Sequence, residues 1–588
     1  MSNPSLLSRL SHAVGEAFAA EGLDPALGRV QPSDRPDLAP FQCNGALAAA
    51  KQAKKNPREL AQAVATRLEA DDLFAEVTLA GPGFLNLTVT DAVLAETANA
   101  IAADPDKGAW KRETAEKIVL DYGGPNVAKP LHVGHLRSAI IGEALKRLFK
   151  AVGDDVMGDI HLGDWGLQMG QLITQLEIEQ PDLPYFVPGA TGPFPPESPV
   201  TVDNLARIYP VAAQASKEDP ARREAARKAT AALQSGHPGY TALWRHFVDV
   251  SKAALEKDYA ELGVTFDLWK GEADVHHRIA PLVDRLREGG FLEESDGAQV
   301  IRVAREDDKK DIPPLIMLSS EGSALYATTD MATIDERVDE LGAERIVYVV
   351  DQRQAQHFEQ VFRAADKVGL ISEGRLEFAG FGTMNGTDGR PFKTREGGVL
   401  RLRDLIDQVV EEAGDRLRQG SMGEDLPEAE RQSIAKDVGI AALKFADLSN
   451  PRQTDYIFDP KKFVTFEGKT GPYLLYAVVR IRSVLAKAGA EHLSGEIVAS
   501  HEAERELILA LAAFPEAMRS AYEKRLPHIL CEHAFSLAQA FSRFYAACRI
   551  GDEADEKLRF SRLVLAKTTH DQLLFVLTLL GLPVPARM

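Results

Sequence analysis

The segment that most limits the possible folds lies at residues 118–149, where a strand, a tight turn and a long helix follow one another. A short apolar run at 118–120 ends in Gly-Gly-Pro at 123–125. From about Gly134 the apolar residues recur at helical spacing, and they are Leu136, Ile140, Leu145, Leu148 and Phe149. A strand that leads into such a helix is typical of the first unit of an α/β domain with a parallel sheet.

At 588 residues the chain is too long for a single hydrophobic core, so we expect a multidomain α/β protein. Apolar strands at 346–350 and 376–381 would extend the parallel sheet. From about residue 436 the pattern is almost wholly helical. The predicted domains are 1–110, an N-terminal α+β domain; 111–435, a Rossmann-like parallel-sheet catalytic domain with insertions; 436–462, a linking helical segment; and 463–588, an all-α helical bundle.

The N-terminal domain and the insertion have local signals of their own. Helical patterns cover residues 4–20 and 58–70, and two strands with alternating polarity follow at 75–79 and 84–89. A Gly-Pro-Gly turn separates these strands, which predicts a hairpin. Residues 181–203 are rich in proline and glycine and predict a loop within an insertion.

Composition excludes several classes of protein. The net charge of −19 argues against a surface that coats nucleic acid, although it allows local basic faces. The sequence has no run of about 20 apolar residues, and its first residues predict an amphipathic helix rather than a secretory signal. Cys43, Cys531 and Cys548 lie far apart, so we expect no disulfide scaffold and no structural metal. Such cysteine usage fits the reducing cytoplasm.

The first candidate site is the string PNVAKPLHVGH at residues 125–135, between the predicted strand and helix. Backbone N–H groups at a helix N-terminus attract phosphate, and His132 and His135 can bind phosphate oxygens as an α-phosphate becomes pentacoordinate. Gly134 lets a flat adenine approach the backbone, and Lys129 adds a cation. As a whole, the string favours a nucleotide site over an ordinary turn with two exposed histidines. The predicted ATP-binding residues of this turn are Gly124, Pro125, His132, Gly134 and His135.

The second candidate site pairs Tyr326 with Asp330. The two residues are four positions apart, so both would project from one face of a helix. A carboxylate beside a tyrosine can clamp a guanidinium group, whose planar fork suits bidentate partners. The residues alone leave this open against a plain helix start with a capping threonine.

The third candidate site is a cationic, glycine-flanked loop that follows a strand. It comprises GFGTM at 380–384 and PFKTREGG at 391–398. Such a loop can close over a triphosphate and neutralise charge as pyrophosphate leaves. We therefore assign Gly382, Met384 and Lys393 to ATP, and Lys393 also to catalysis.

These motifs together resemble the arginyl-tRNA synthetase family. The string at 125–135 is similar to the HIGH signature of class I aminoacyl-tRNA synthetases, and its Pro-Asn-x-Ala-Lys-Pro part is typical of the arginyl enzymes. So are GDWGLQ at 163–168, Tyr-x-Thr-x-Asp at 326–330 and FEGKTGPY at 466–473. The loop with Lys393 stands where class I enzymes carry KMSKS. The resemblance extends over essentially the whole chain.

The resemblance implies a set of site residues. His132, His135, Lys129 and Lys393 would serve catalysis. Thr394 stands where KMSKS has its second lysine, and Lys129 would compensate for this departure. The implied arginine pocket consists of Asp121, Asn126, His132, Tyr326, Asp330 and Gln354.

The resemblance also implies partners and a reaction. ATP with Mg²⁺ and L-arginine would give arginyl-adenylate and pyrophosphate, provided that tRNA is present, and tRNA(Arg) would then accept the arginine and release AMP. The N-terminal domain would contact tRNA, and the helical bundle would bind the anticodon. The protein is expected to be a cytoplasmic monomer. The implied tRNA-binding residues of the bundle are Tyr473, Tyr476, Phe544 and Arg549.

Two rival hypotheses remain open at this point. The chain could be another HIGH-type nucleotidyl transferase, including a synthetase for a different amino acid, or a noncatalytic tRNA-binding paralogue. A cysteinyl enzyme would want zinc-binding cysteines, and intact histidines in the HIGH string argue against a noncatalytic protein. A dinucleotide-binding dehydrogenase is excluded because no GxGxxG follows the first strand of the sheet. An arginine-dependent aminoacylation assay separates these hypotheses.

Overall fold

The computed structural model describes residues 5–390, 400–489, 493 and 495–588. By its contacts the chain divides into two compact units. The first unit comprises residues 1–111, 466–579 and 584–588, and the second comprises residues 112–465 and 580–583. Within the described ranges, no helix is long and apolar enough to cross a membrane.

The N-terminal part of the first unit is an α+β structure. The elements are α1 (Leu6–Ala20), β1 (Val30–Pro32), β2 (Phe41–Cys43), α2 (Gly45–Ala53), α3 (Pro57–Leu68), β3 (Phe74–Ala80), β4 (Phe84–Val89) and α4 (Asp91–Ala103), with a 3-10 helix at Pro25–Gly28. The strands form an antiparallel sheet in the order β1-β2-β4-β3. The predicted hairpin is confirmed as β3 and β4, and Gly81 and Gly83 turn between them with positive φ.

The second unit holds the parallel sheet and its insertions. Its strands are β5 (Lys117–Tyr122), β6 (Asp155–Asp159), β7 (Glu293–Ser295), β8 (Ala298–Ile301), β9 (Leu315–Leu318), β10 (Arg345–Val349), β11 (Leu376–Phe378), β12 (Met384–Asn385) and β13 (Tyr456–Ile457). Its helices are α5 (Val133–Val152), α6 (Leu167–Glu179), α7 (Val202–Glu218), α8 (Pro220–Gln234), α9 (Pro238–Glu261), α10 (His276–Glu288), α11 (Tyr326–Asp339), α12 (Ala355–Lys367), α13 (Leu402–Gln419), α14 (Glu428–Leu448) and α15 (Pro460–Phe463), with 3-10 helices at Pro184–Phe186, Gln352–Gln354 and Glu373–Arg375.

The central sheet is parallel throughout and has the order β11-β10-β5-β6. The chain passes from β5 through α5 to β6 on one side and later returns to β10 on the other side of β5. The strand order therefore reverses between β5 and β10, and ligands of such sheets bind beyond the carboxyl ends of the strands at this point. This arrangement confirms the predicted Rossmann-like sheet, although β11 ends at Phe378, three residues earlier than predicted.

The segment between β6 and β10 forms the insertion. The predicted loop at 181–203 holds the short 3-10 helix at Pro184–Phe186 and the first residues of α7. Helices α7 and α8 pack against α6, and α9 packs against all three. The hydroxyl group of Tyr259, near the end of α9, donates to the carbonyl oxygen of Gly123 after β5. A small antiparallel sheet, β7-β8-β9, follows and was not predicted.

The C-terminal part of the first unit is helical, as predicted. Apolar residues of different helices meet in its interior, where the rings of Phe514 and His533 stack at 5.2 Å between centroids. The elements are α16 (Gly471–Lys487), α17 (Glu502–Ala512), α18 (Phe514–Lys524), α19 (His528–Ala547) and α20 (Glu556–Leu579).

Candidate active site

The two histidines of the HIGH string form a stacked pair at the start of α5. His132 is the N-cap residue, and its Nδ1 accepts the N–H of Gly134 at 3.0 Å. The N–H of His132 in turn donates to Nδ1 of His135 at 3.2 Å, and the ring centroids lie 3.8 Å apart. Because both Nδ1 atoms accept hydrogen bonds, each neutral ring carries its proton on Nε2. The pair therefore presents two N–H donors at a helix N-terminus.

Both imidazoles are neutral near pH 7. Burial, and then the charge of Lys129, lowers the pKa of His132. Burial, followed by the neighbouring His132 and Lys129, lowers the pKa of His135 to about 3. The histidines thus act as hydrogen-bond donors, and Lys129 supplies the positive charge of this region.

Two glycines make this geometry possible. A Cβ atom on Gly134 would lie 2.8 Å from Cε1 of His132, so a side chain there would displace the ring. A Cβ atom on Gly124 would lie 2.5 Å from the carbonyl oxygen of Ile160, which is part of the backbone and cannot easily move. Only glycine therefore fits without displacement at position 124 in the turn after β5 and at position 134 in the first turn of α5.

The turn after β5 pairs with the GDWG segment that follows β6. Gly163 N–H donates to the carbonyl oxygen of Pro125 at 3.2 Å, and Val127 N–H donates to the carbonyl oxygen of Gly163 at 3.0 Å. A Cβ atom on Gly163 would lie 2.2 Å from Oδ1 of the exposed Asn126. Two motifs that are far apart in sequence are thus brought together at the carboxyl ends of neighbouring strands.

Lys129 is held by the insertion. Ala128 has a φ of 68°, and its N–H donates to Oγ of Ser251 on α9 at 3.1 Å. The Nζ atom of Lys129 lies 4.6 Å from the centroid of the Tyr209 ring on α7. Sequence reasoning identified neither Ser251 nor Tyr209.

The KMSKS-like loop is only partly described. Lys393 and Thr394 lie outside the described residues. The chain after this loop lies beside the HIGH string, because Val133 N–H donates to the carbonyl oxygen of Leu400 at 3.1 Å. Before the loop, Gly382 lies close to the backbone of Thr454, where a Cβ atom would meet the carbonyl carbon at 2.7 Å.

Met384 also precedes this loop, and its side chain points into the interior. It is 6% exposed, and the hydroxyl group of Tyr456 lies 2.8 Å from its sulfur atom. Any contact between Met384 and ATP would therefore involve its backbone groups.

One face of α11 carries the predicted pocket residues. Tyr326 is the first residue of the helix and is 70% exposed, whereas Asp330 is partly buried one turn later. The Oδ2 atom of Asp330 lies 2.5 Å from Nε2 of His357 on α12, and this hydrogen bond raises the pKa of His357. Gln354 lies just before α12 and is exposed.

Asp121 binds an arginine of the protein itself. Nη2 of Arg337 donates to Asp121 at 2.6 Å and to Asp159 at 2.8 Å, and the Arg337 side chain is 1% exposed. Burial raises the pKa of Asp121, whereas Arg337 holds the pKa of Asp159 low against the effect of burial. Arg337 lies seven positions after Asp330, on the same face of α11, and it fixes the end of β5 against the wall of the pocket.

Glu272 is an acid near Asp330 that sequence reasoning missed. It lies in a segment that runs beside the end of β6 through the bridge between Leu162 and Gly271. Burial raises the pKa of Glu272 against the opposing effect of His161, and the nearby Asp330 raises it further. Partial burial of its hydroxyl group, and then Glu272, raises the pKa of Tyr326. No local pattern marks Glu272, because only the fold brings it to the site.

The predicted tRNA-binding residues differ in exposure. Tyr476 is 42% exposed, Tyr473 is half-buried against Phe535, and Arg549 is exposed. Phe544 is 0% exposed and belongs to the core, so its ring is not available for stacking on a base. This burial corrects the prediction for Phe544, whose aromatic character reflects packing.

Three family models match the chain. The model "tRNA synthetases class I (R), catalytic domain" matches residues 97–460, "Arginyl tRNA synthetase N terminal domain" matches 5–89, and "DALR anticodon binding domain" matches 474–588.

The similarity to relatives and to solved structures extends over the full length of the chain. The arginine–tRNA ligase of Hyphomonas neptunium is 55% identical over 587 residues, covering 99% of this chain and 100% of the relative. That of Maricaulis maris is 51% identical, covering 100% of both chains. The arginyl-tRNA synthetase structures from Plasmodium falciparum (TM-score 0.83, 22% identity, 100% of both chains) and Thermus thermophilus (0.79, 23%, 99% and 100%) share the fold. By its class I (R) catalytic domain and its full-length similarity to these ligases, the chain belongs to the arginyl-tRNA synthetase family.

Proposed function

We propose that this chain attaches L-arginine to tRNA(Arg) in two steps, through an arginyl-adenylate. The observation that carries the proposal is that two groups of polar side chains follow the neighbouring parallel strands β5 and β10. The stacked histidines at the start of α5 offer donors to phosphate, and Asp330, bound to His357 on α12, offers a carboxylate to a guanidinium group. Family membership supports the same pair of substrates.

In the first step, a carboxylate oxygen of arginine attacks the α-phosphorus atom of ATP. The bond from that phosphorus to the bridging oxygen breaks, and pyrophosphate leaves with its negative charge. The Nε2–H groups of His132 and His135 donate to phosphate oxygens in the transition state, while Lys129 offsets the growing charge. The neutral histidines need neither give nor take a proton. Lys393 would add a second cation from the KMSKS-like loop.

We propose that the guanidinium group of the substrate lies against Asp330, Glu272 and the hydroxyl group of Tyr326. Two acids suit a cation, and an analogue that leaves these polar groups unpaired would bind less well. Asp121, Asn126 and Gln354 would bind the amino and carboxylate end, with His132 shared between the two substrates. Arg337 limits the negative charge near Asp121, so the strongest attraction for the substrate side chain is at Asp330 and Glu272.

In the second step, a hydroxyl group of the terminal adenosine attacks the acyl carbonyl carbon, and AMP leaves with the bonding electrons. No covalent bond to the enzyme is required, so positioning and charge stabilisation account for the catalysis. Among the described residues, no three His, Cys, Asp or Glu side chains are grouped as metal ligands. Mg²⁺ enters the proposal as an ion carried by the phosphates of ATP.

Exchange of labelled pyrophosphate into ATP tests the proposal. With tRNA(Arg) present, we expect exchange with arginine and none above background with glutamate, methionine or cysteine. Equal exchange with any of these amino acids would favour a different synthetase, and no exchange with any of them would favour a noncatalytic protein.

The bundle of the first unit offers a surface for the anticodon loop. Tyr476 and Arg480 lie on the exposed side of α16, and the guanidinium of Arg480 lies 4.4 Å from the ring centroid of Tyr545 on α19. Aromatic rings stack on unpaired bases and cations meet phosphates. We propose that this surface, with Tyr473 and Arg549, binds the anticodon loop, and that the N-terminal domain also contacts tRNA.

Replacing Tyr476 by alanine is expected to weaken tRNA(Arg) binding by about 5- to 50-fold, since one base loses a stacking partner. The variant Tyr476→Phe keeps the ring and should bind as the unaltered protein does. Filter binding at fixed salt concentration measures both affinities. Equal affinities of the alanine and phenylalanine variants would show that the ring of Tyr476 stacks on no base.

The hydrogen bond from His357 to Asp330 predicts a pH dependence of arginine binding. The pKa of His357 is raised above its ordinary value of 6.5, so the ring becomes cationic before most histidines do as the pH falls. A cationic His357 offsets the negative charge of Asp330, which lies near Glu272, and so weakens the attraction for the guanidinium group. We expect the KM for arginine to rise by about 3- to 10-fold between about pH 8.5 and pH 6. His357→Gln keeps a hydrogen-bond donor without a titrating charge, and its profile should be flatter. An unchanged profile in that variant would contradict the assignment.

A further inference from the structure

The side chain of Lys129 rests on an aromatic ring that the insertion supplies. We propose that Tyr209 on α7 is the positioning residue for Lys129: its ring holds the ammonium group at the phosphate site without neutralising the charge. This inference rests on the proposed function, because it gives Lys129 a role with ATP. It adds a structural reason for the insertion, which contacts the site through α7 and α9.

The backbone before Lys129 is held in one conformation, but this leaves the side chain of Lys129 free to rotate. Ala128 is fully buried in the left-handed region, and Ser251, itself 3% exposed, accepts its N–H. These contacts fix the starting point of the Lys129 side chain. Four side-chain carbons, joined by rotatable bonds, still separate Cα of Lys129 from Nζ. A lysine side chain loses about 2 kcal/mol of rotamer entropy when it is ordered. A contact near Nζ is therefore needed to hold the charge in place.

The ring of Tyr209 is suited to this task. The Nζ atom lies 4.6 Å from the ring centroid, within the range of a cation–π contact. Within the part of the chain that the structure describes, Lys129 makes no ion pair with a carboxylate. A carboxylate in this place would compete with the phosphates of ATP, whereas a neutral ring holds the cation and leaves its net charge available to them.

The position of Tyr209 also limits which substrate is affected. Lys129 lies close enough to His132 and His135 to lower the pKa of both rings, so the held ammonium is already near the phosphate donors. The acid proposed for the guanidinium group, Asp330, is held by its hydrogen bond to His357 on α12. Loss of the Tyr209 ring should therefore affect ATP and leave arginine binding intact.

Two substitutions at position 209 test the proposal in pyrophosphate exchange with tRNA(Arg) present. Tyr209→Leu removes the ring, and we expect kcat/KM for ATP to fall by about 3- to 30-fold. Tyr209→Phe keeps the ring and should stay within about twofold of the unaltered protein. The KM for arginine should change in neither variant. Val211→Ala is the matched control, because Val211 is an exposed apolar residue of the same helix.

A double-mutant cycle separates positioning from a general effect on the fold. In the background of Lys129→Met, the change from Tyr209 to leucine should have no further effect, since the charge to be positioned is gone. The same loss in both backgrounds would overturn the proposal and leave the proposed function intact. An equal loss in the phenylalanine and leucine variants would also overturn it. A Lys129→Met protein with unaltered kcat/KM would overturn both the role of Lys129 and this inference, while arginine-dependent exchange would still report the reaction itself.

Discussion

Replacing His135 by alanine is expected to slow adenylate formation by roughly two to four orders of magnitude, as loss of a preorganised donor to a transition state does. The Nδ1 atom of His135 is engaged by the backbone N–H of His132, so its Nε2–H is the group available to phosphate. The same contact helps to cap α5, but the cost of losing a cap falls on stability and not on the chemical step.

Single-turnover formation of the adenylate, with tRNA(Arg) present, measures this effect. The affinity for arginine should change little, because the proposed guanidinium contacts, Asp330, Glu272 and Tyr326, lie outside the HIGH string. Thermal unfolding of the variant serves as the control for a loosened helix start. A folded His135→Ala protein that forms adenylate at nearly the normal rate would show that the stacked pair is not the phosphate site.

Replacing Asp330 by asparagine is expected to weaken arginine binding by about 2–5 kcal/mol, because a partly desolvated partner of the guanidinium loses its charge. Asparagine keeps the shape of the side chain and can still bond to His357. Citrulline, which is neutral and similar in shape to arginine, should lose much less affinity. The comparison of the two ligands isolates the charge from the shape of the pocket.

Asp339→Asn is the matched control for this experiment. Asp339 lies on the same helix, its side chain is 70% exposed, and it pairs with Arg278 outside the pocket. Its replacement should leave arginine affinity unaltered. Calorimetric titration of the Asp330→Asn variant with arginine and citrulline provides the measurement, and equal losses for both ligands would mean that Asp330 does not read the charge.

Strands were predicted from the sequence where the apolar run or the turn signal was strong. The apolar runs that form β5 and β10 are buried on both sides, and the Gly-Pro-Gly turn marked the hairpin of β3 and β4. β6 was missed because it begins and ends in aspartate and contains a glycine, so it lacks the apolar run of a buried strand. The short strands β7, β8 and β9 have no clear alternation of polarity.

Sequence spacing predicted the relative positions of candidate residues only where these residues lie close together in the chain. The spacing of Tyr326 and Asp330 places them on one helix face, and the HIGH string places two histidines on the first turn of α5. Contacts between distant segments gave no such signal. Arg337 meets Asp121 across 216 positions, and only the folded chain brings Glu272 to the pocket.

The sequence also did not indicate which aromatic side chains are exposed and which are buried. Composition gave no means of separating the exposed ring of Tyr476 from the buried ring of Phe544, since both lie on helices rich in apolar residues. Tyr209 was overlooked because one tyrosine in an amphipathic helix is usually part of the packing. Its contact with Lys129 depends on how the insertion folds back over the turn after β5.

Charging of tRNA measures whether one site joins arginine, ATP and tRNA(Arg). Purified full-length protein is incubated with ATP, tRNA(Arg) and labelled arginine, and acid-precipitable label is followed over time. In parallel reactions a different amino acid, a different tRNA or no ATP is supplied. We expect arginyl-tRNA(Arg) to form only in the complete reaction. Charging with another amino acid, or no charging by a folded protein, would show that the proposed site does not join these substrates.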